Sequence, residues 1–347
     1  MPRPHSRHSQ VSSNVTRPKR ATMQDIAAAA GVHVMTVSNA LGNIRSVSPT
    51  TREKVLRIAR ELNYVPNTAA RALAAGKTGV IAVFSGNLNE PYYANMVHLL
   101  SSQMDADGYK LTIHHRPHDV GDLLNDTGSV AVDGAIGIDM YHMVEKFRPH
   151  PAIPCVSIGT YEQELMDCVI VDLSDAVKRA LRIMLNEGRQ RIAYLVNAAH
   201  LSLPAEVRAR SYLEFMQRCG RPPEIINSDT SIVPLTRERF RAYLGENGCP
   251  DGLLCLNDEV AMCAYQVLRQ QGYKVPDDVL LVGCDGQLHM EYFDTPLSTI
   301  AQPMEEMCAL AWQFLRQRIA EPGLPLQHAT LRGKLVVRES LRPPQST

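Results

Sequence analysis

The sequence predicts an α/β protein, with a small head of three short helices followed by a larger core of parallel βαβ units in two lobes. Three observations carry this expectation. Residues 1–78 hold 12 Lys and Arg against 3 Asp and Glu (Asp25, Glu53, Glu61), while the rest holds 24 against 33, so a 347-residue chain of zero net charge is a basic head on an acidic body. Residues 22–62 carry apolar side chains at helical spacing between polar caps. From residue 79 onward, short apolar runs alternate with helical stretches, and the series runs twice.

Composition sets the outer limits. At 45% apolar residues the chain supports an ordinary soluble core, and no stretch approaches the roughly 18 uncharged apolar residues of a membrane helix. The polar, basic start lacks a signal-peptide core, so a cytoplasmic protein is expected. Eight scattered cysteines, with no C-x-x-C pair and no zinc-type spacing, read as buried thiols in a reducing compartment. The run HHRPHD (His114, His115, His118, Asp119) lacks a helical i, i+4 pair or a nearby cysteine, and reads as a solvated loop after a strand rather than a metal cluster. No cofactor or metal is expected. Concentration of Lys and Arg in the head points to a polyanion met by that part alone, because phosphate neutralisation supplies most nonspecific nucleic-acid affinity.

Residues 1–20, rich in proline and serine, read as a disordered basic arm. Thr22 then opens a T-x-x-D capping box with Asp25, followed by a helix whose apolar face is Ile26, Ala29 and Ala30; Gly31 ends it. In HVMTVSNAL the inner face is Val37, Ala40 and Leu41, which leaves Val34, Met35, Ser38 and Asn39 outside. Ser48 as N-cap and Pro49 at the first helical position start a third helix that buries Val55, Ile58, Ala59 and Leu62. Three short helices with a glycine turn between the first two describe a helix-turn-helix head over residues 21–66.

The head is similar to the DNA-binding head of the lactose-repressor (LacI) family, through DIAAAAGV, TVS, VSPTTREKV, LNYVPN and ARALA. The resemblance runs on to about residue 341. It implies a DNA-binding transcriptional repressor that acts on a pseudopalindromic double-stranded operator as a homodimer, under control of a small-molecule effector, a sugar or sugar acid, bound between the lobes. Turnover is not expected, since no nucleophile elbow, phosphate loop or paired-carboxylate motif is present. A transporter's solute-binding protein, the alternative from the body alone, lacks its signal peptide and would have no use for the basic head.

On this resemblance the second helix lies in the major groove. Val34, Met35 and Asn39 take base-reading positions, while Thr22, Thr36, Ser38 and Asn43 face phosphates. Asn pairs bidentately with adenine and an aliphatic side chain meets a thymine methyl, whereas Arg at position 39 would favour guanine. Packing against the first helix is the other reading of Val34 and Met35. His33 stands where a capping serine is usual. Residues 67–78 become a hinge helix and linker, with Asn67 and Ala70 on DNA and Leu73 wedged into a minor-groove base step; by its residues alone, Leu73 could equally be a core leucine.

The core, residues 79–341, is expected to be periplasmic-binding-protein-like, with a first lobe of about 79–188 and 303–322, a second of about 189–302 and 323–341, and a tail of 342–347. The resemblance there rests on LNDEVAMCAYQVL, VPDDVLLVGCD, LSTIAQP and Arg208 in RARSY. It implies an effector held by Arg208 and Asp258, with Asn257, Asp285 and Gln302 beside them, and by Asn89, Tyr92 and Tyr93 in NEPYYAN from the first lobe. Each has a plainer reading: Asp258 as a helix N-cap, Arg208 as a surface residue, the tyrosines as packing. Gly286 in place of a second aspartate, Ser211 in place of glycine, and Gly159-Thr160 in place of Asp-Arg separate this pocket from that of a typical sugar-binding member.

Overall fold

A computed structural model describes residues 21–42, 47–65, 77–114, 132–139, 153–160, 166–197, 206–230 and 232–341. The basic arm, Asn43, the hinge positions Asn67, Ala70 and Leu73, His115, His118, Asp119 and residues 342–347 lie outside the described residues. The chain divides into two compact units, residues 1–74 and 75–347.

The head contains α1 (Met23–Ala30), α2 (Val34–Leu41) and α3 (Pro49–Glu61). Each start is capped. Thr22 and Asp25 form the reciprocal box, Asp25 N–H donating to Thr22 Oγ1 at 3.3 Å and Thr22 N–H to the Asp25 carboxylate at 2.7 Å. Ser48 Oγ accepts from Thr51 N–H at 3.2 Å. His33 replaces the expected serine without loss of the cap, because its Nδ1 accepts from Met35 N–H at 3.3 Å. Gly31 turns the chain between α1 and α2 at φ 65°, where a Cβ would be strained. Ile26, Ala27, Ala30, Val37, Ala40, Val55, Ile58 and Ala59 form the core. Two positions differ from the expected faces. Ala27 is buried and Ala29 exposed, and Leu62 is exposed because α3 stops at Glu61 and Leu62 caps its end.

The core is two sheets of one design. In chain order its elements are β1 (Val80–Phe84), α4 (Pro91–Ala106), β2 (Lys110–His114), β3 (Gly134–Ile138), β4 (Cys155–Gly159), β5 (Asp167–Asp172), α5 (Ser174–Asn186), β6 (Ile192–Val196), α6 (Val207–Arg218), β7 (Glu224–Asn227), α7 (Val233–Asn247), β8 (Gly252–Cys255), α8 (Asp258–Gln270), β9 (Leu280–Asp285), β10 (Ser298–Ala301), α9 (Met304–Ala320), β11 (His328–Arg332) and β12 (Lys334–Val336). The first sheet runs β11-β5-β4-β3-β1-β2 and the second β12-β10-β9-β8-β6-β7. All pairings are parallel except the antiparallel β12 with β10. Central strands such as β3, β4 and β6 are buried along their whole length, as parallel strands covered on both faces require. In β1 the alternation sends Ile81 and Val83 to one core and Ala82 and Phe84 to the other.

The two lobes share one device at their entrances. Asp133, just before β3, accepts from Thr78 N–H at 2.6 Å and Gly79 N–H at 2.8 Å, where β1 begins. Asp251, just before β8, accepts from Gln190 N–H and Arg191 N–H, both at 2.8 Å, where β6 begins. A carboxylate that takes two backbone donors joins the first and third strands of each lobe before the ladder starts.

The lobe boundaries shift from those read in the sequence. Helix α5 packs against α6 and β12 of the second lobe, so the first lobe gives up the chain after Asp172 rather than after residue 188. β11 pairs with β5, so residues 328–332 belong to the first lobe and the chain recrosses at Gly333 rather than near residue 322. Apolar patterning could not show this, since α5 and β11 look the same on either side of the boundary. The thiols also differ in two cases: Cys219 is exposed and Cys249 half-buried, and the other six are buried. Replacing Asp251 with Ala should lower stability by about 1–3 kcal/mol in urea unfolding, since two N–H groups lose their acceptor at once. A variant as stable as the wild type would show that the clamp is ornamental.

Candidate functional site

The head's candidate residues lie mostly on the outer side of α2. Met35 is 64% exposed, Ser38 is exposed, and Thr36 and Asn39 are half-buried. Val34 is half-buried and packs on the head core, as its packing reading expects. Thr22 is exposed, with its hydroxyl donating to Asp25 at 2.7 Å.

In the core, the carboxyl ends of both sheets converge on one polar cavity. In each sheet strand order reverses beside the first strand, with β1 flanked by β2 and β3 and β6 by β7 and β8, and the crevice at such a switch point is where open α/β sheets bind ligands. Glu90, Tyr92, Tyr93, Asp139 and Thr160 come from the first lobe; Arg208, Leu256, Asn257, Asp285 and Gln302 come from the second. The space among them is about 30 Å³, room for about two waters and less than a sugar-sized ring fills.

Arg208 is buried, which settles its role against a surface residue. Its Nε donates to Glu206 Oε1 at 2.6 Å and its Nη1 to Leu256 O at 2.7 Å. Glu206 in turn caps α6, its Oε2 accepting from Ala209 N–H at 2.7 Å. Burial works against both charges, but each offsets this for the other, leaving Glu206 below and Arg208 well above its ordinary value. Asn257 caps α8 by accepting from Val260 N–H at 2.9 Å. Gln302 Nε2 donates to Asp285 Oδ1 at 2.9 Å, while its buried Oε1 has no partner.

Both acidic strand ends sit on unusual backbone. Asp139 after β3 has φ 50° and Asp285 at the end of β9 has φ 123°, conformations that side-chain-bearing residues rarely adopt. Glycines make room around them. A Cβ on Gly159 would lie 2.8 Å from Asp139 Oδ1, and one on Gly286 would lie 2.7 Å from Ala301 Cβ on a backbone at φ 85°. Two of the residues that set this cleft apart in sequence, Gly159 and Gly286, thus stand where a side chain would crowd Asp139 or the strand end at Ala301.

Six of the eight sequence candidates in the core line this cavity, and two, Asp258 and Asn89, do not. Asp258 does not line the cavity: fully buried at the start of α8, it accepts from Thr299 Oγ1 at 2.6 Å and Gln287 N–H at 2.7 Å, in space left by Gly283. It is neither ligand nor N-cap but a bolt between α8, the turn after β9 and β10. Asn89 is exposed and its N–H donates to Asn87 Oδ1 at 3.1 Å; its neighbour Glu90 lines the cavity instead. Tyr92 and Tyr93 both pack on the core and line the cavity, their rings edge to face at 5.2 Å. Asp139, Glu90, Thr160 and Leu256 were missed. A signal for Asp139 was present, since IGID mirrors VGCD: each is an apolar strand ending in aspartate.

Burial pushes Asp139 up to about 6, against the opposing pull of Arg208 and the Tyr92 hydroxyl, and pushes Glu90 up to about 7, helped by Glu259 and Asp139. A carboxyl whose folded value is raised binds a proton more tightly folded than unfolded. Its contribution to stability is therefore full below the unfolded value near 4 and is lost as pH rises to the folded value. Asp139→Asn should become progressively more stable than the wild type between pH 4.5 and 7 in ligand-free thermal melts, and a pH-independent difference would mean that Asp139 ionises freely.

Comparison with known proteins agrees with both units. Residues 22–67 match the model for bacterial regulatory proteins of the lacI family, and residues 181–341 match a periplasmic binding protein-like domain. The chain is 28% identical to the HTH-type transcriptional regulator DegA of Bacillus subtilis over 93% of this chain and 99% of that one. It is also 28% identical to the ribose operon repressor of Haemophilus influenzae, over 92% and 98%. The transcriptional regulator CelR–cellobiose complex is 25% identical with a TM-score of 0.63, covering 92% of this chain and all of that one. The lac repressor dimer bound to operator shares the fold at a TM-score of 0.77, with 24% identity over 93% and 99%. No helix among the described residues is long and apolar enough to cross a membrane. A capped helix-turn-helix head joined to a two-lobed core with its polar cavity at the sheet ends makes this chain a transcriptional regulator of the LacI family.

Proposed function

We propose that the chain is a homodimeric repressor, that α2 of each head reads one half of a pseudopalindromic operator, and that a sugar-like effector in the interlobe cleft sets operator affinity. The observation that carries the reading is the polar cavity shared by both lobes, Asp139 and Thr160 on one side and Arg208, Asn257, Asp285 and Gln302 on the other. A ligand bonded to both sides favours one lobe arrangement over another by its differential affinity, and linkage passes that preference to the DNA site. Relatives include repressors of the ribose and sucrose operons, which supports a sugar-like effector. The chain acts by binding rather than turnover, in the cytoplasm where the DNA is.

Within the head, Met35 offers an apolar tip to a thymine methyl and Asn39 an amide to a base edge. Thr36 and Ser38 hold phosphates; Val34 divides itself between core and groove. Thr22 serves as the cap of α1, its N–H and its hydroxyl both donating to Asp25. The hinge positions Asn67, Ala70 and Leu73, with Asn43, complete the interface by resemblance.

Selection of bound sequences from a random DNA pool tests the reading, with a two-fold-symmetric site expected. Removing residues 1–78 should abolish binding to that site while leaving effector binding intact; retained operator affinity would refute the division of labour. Asn39→Arg should move the preference at one position per half-site toward guanine and leave the salt dependence unchanged, as for a base rather than a phosphate contact. An unaltered preference would mean that Asn39 reads no base.

A further inference from the structure

The cleft's charges narrow the chemistry of whatever it binds. Glu90, Asp139 and Asp285 line the cavity, and Arg208 is the only cationic side chain lining it among the described residues. That cation is already matched by Glu206, at 2.6 Å and fully buried. Around the cavity there remain three carboxyls, none in an ion pair with a described residue, and the partnerless Oε1 of Gln302, a side chain only 8% exposed. The wall is rich in acceptors and poor in charge to balance them. Arg208 Nη2, without a partner among the described residues, and the amide of Asn257 supply donors at the second-lobe side.

We propose that the effector is an amine-bearing polyol, its ammonium held among Glu90, Asp139 and Asp285 and its hydroxyls bonded by Arg208, Asn257 and Gln302. The inference rests on the reading of the cleft as the effector site. An ammonium presents three donors and no acceptor, which fits a ring of carboxyl oxygens and one orphan amide oxygen. A sugar acid, the anionic form of effector that the resemblance also allows, would set a fourth carboxylate against three and find the one guanidinium already paired.

Without a cation, protons take its place. Glu90 is raised by burial and faces Glu259 and Asp139; Asp139 is raised by burial and faces Glu206, with Arg208 and Tyr92 opposing. Asp285 is raised well above its ordinary value by burial and then by Asp258 and Asp139, with Arg208 and Gln302 opposing. An arriving ammonium displaces these protons, so its affinity rises with pH as the carboxyls ionise.

The test is calorimetric titration of the full chain with matched sets of probes: glucose, glucosamine and glucuronate, the galactose and mannose counterparts, and putrescine as an amine without hydroxyls. One amino sugar should bind at least about tenfold more tightly than its parent hexose and its uronate, release protons on binding, and tighten about tenfold between pH 5.5 and 7. Glu90→Gln and, independently, Asp139→Asn should each reduce that advantage. Tighter binding of any uronate, no amino sugar exceeding its parent hexose, putrescine binding as tightly as the amino sugar, or a pH-independent affinity would each overturn the proposal. Operator binding measured alongside separates the two readings: an amino sugar that binds as expected yet leaves operator affinity unchanged overturns the regulatory role of the cleft, and a uronate that binds and changes it overturns only the amine.

Discussion

Gly333 is the point at which the two-lobed core is tied together. The chain passes between lobes three times, after β5, after β10 and between β11 and β12, and the three passages touch there. Gly333 N–H donates to Asp172 O at 2.9 Å, and a Cβ on Gly333 would run into the Leu173 side chain and lie 3.4 Å from Ala301 O. Asp172, Ala301 and Gly333 thus define a pivot, and the cavity begins beside it, because Gln302 follows Ala301 and lines the cavity.

Around that pivot each lobe repeats one plan. The order 2-1-3-4-5 recurs as 7-6-8-9-10, and Asp133 has its counterpart in Asp251. The cleft gathers carboxyls from both lobes, and burial, with like charge beside it, raises Glu90, Asp139 and Asp285 together. Charge brought together in this way costs stability unless a proton or a ligand neutralises it.

How far the sequence foretold this depends on what each residue's role required. Helix starts were legible because caps act over three residues, as Thr22 with Asp25 and Ser48 with Thr51 show. Arg208, Asn257, Asp285 and Gln302 were found because they lie in stretches whose residues resemble a known family. Ala29 for Ala27 was an error of a helix only eight residues long, where one step of rotation moves a side chain from core to solvent. Asp258 looked like a ligand because an acid at a helix start beside a cleft has two uses. Only the distances to Thr299 and Gln287 distinguish them. The lobe boundaries were hidden because which sheet β11 joins is a long-range fact, and local patterning carries no record of it.

The recrossing at Gly333 also sets an order of assembly during synthesis. The first sheet acquires its edge strand only with His328–Arg332 and the second only with Lys334–Val336, so each lobe is complete only when its own late strand has left the ribosome. The head is the opposite case: its core runs from Ile26 to Ala59, held by contacts close in sequence that form quickly. A nascent chain therefore carries a folded helix-turn-helix long before it has a sensor to govern it.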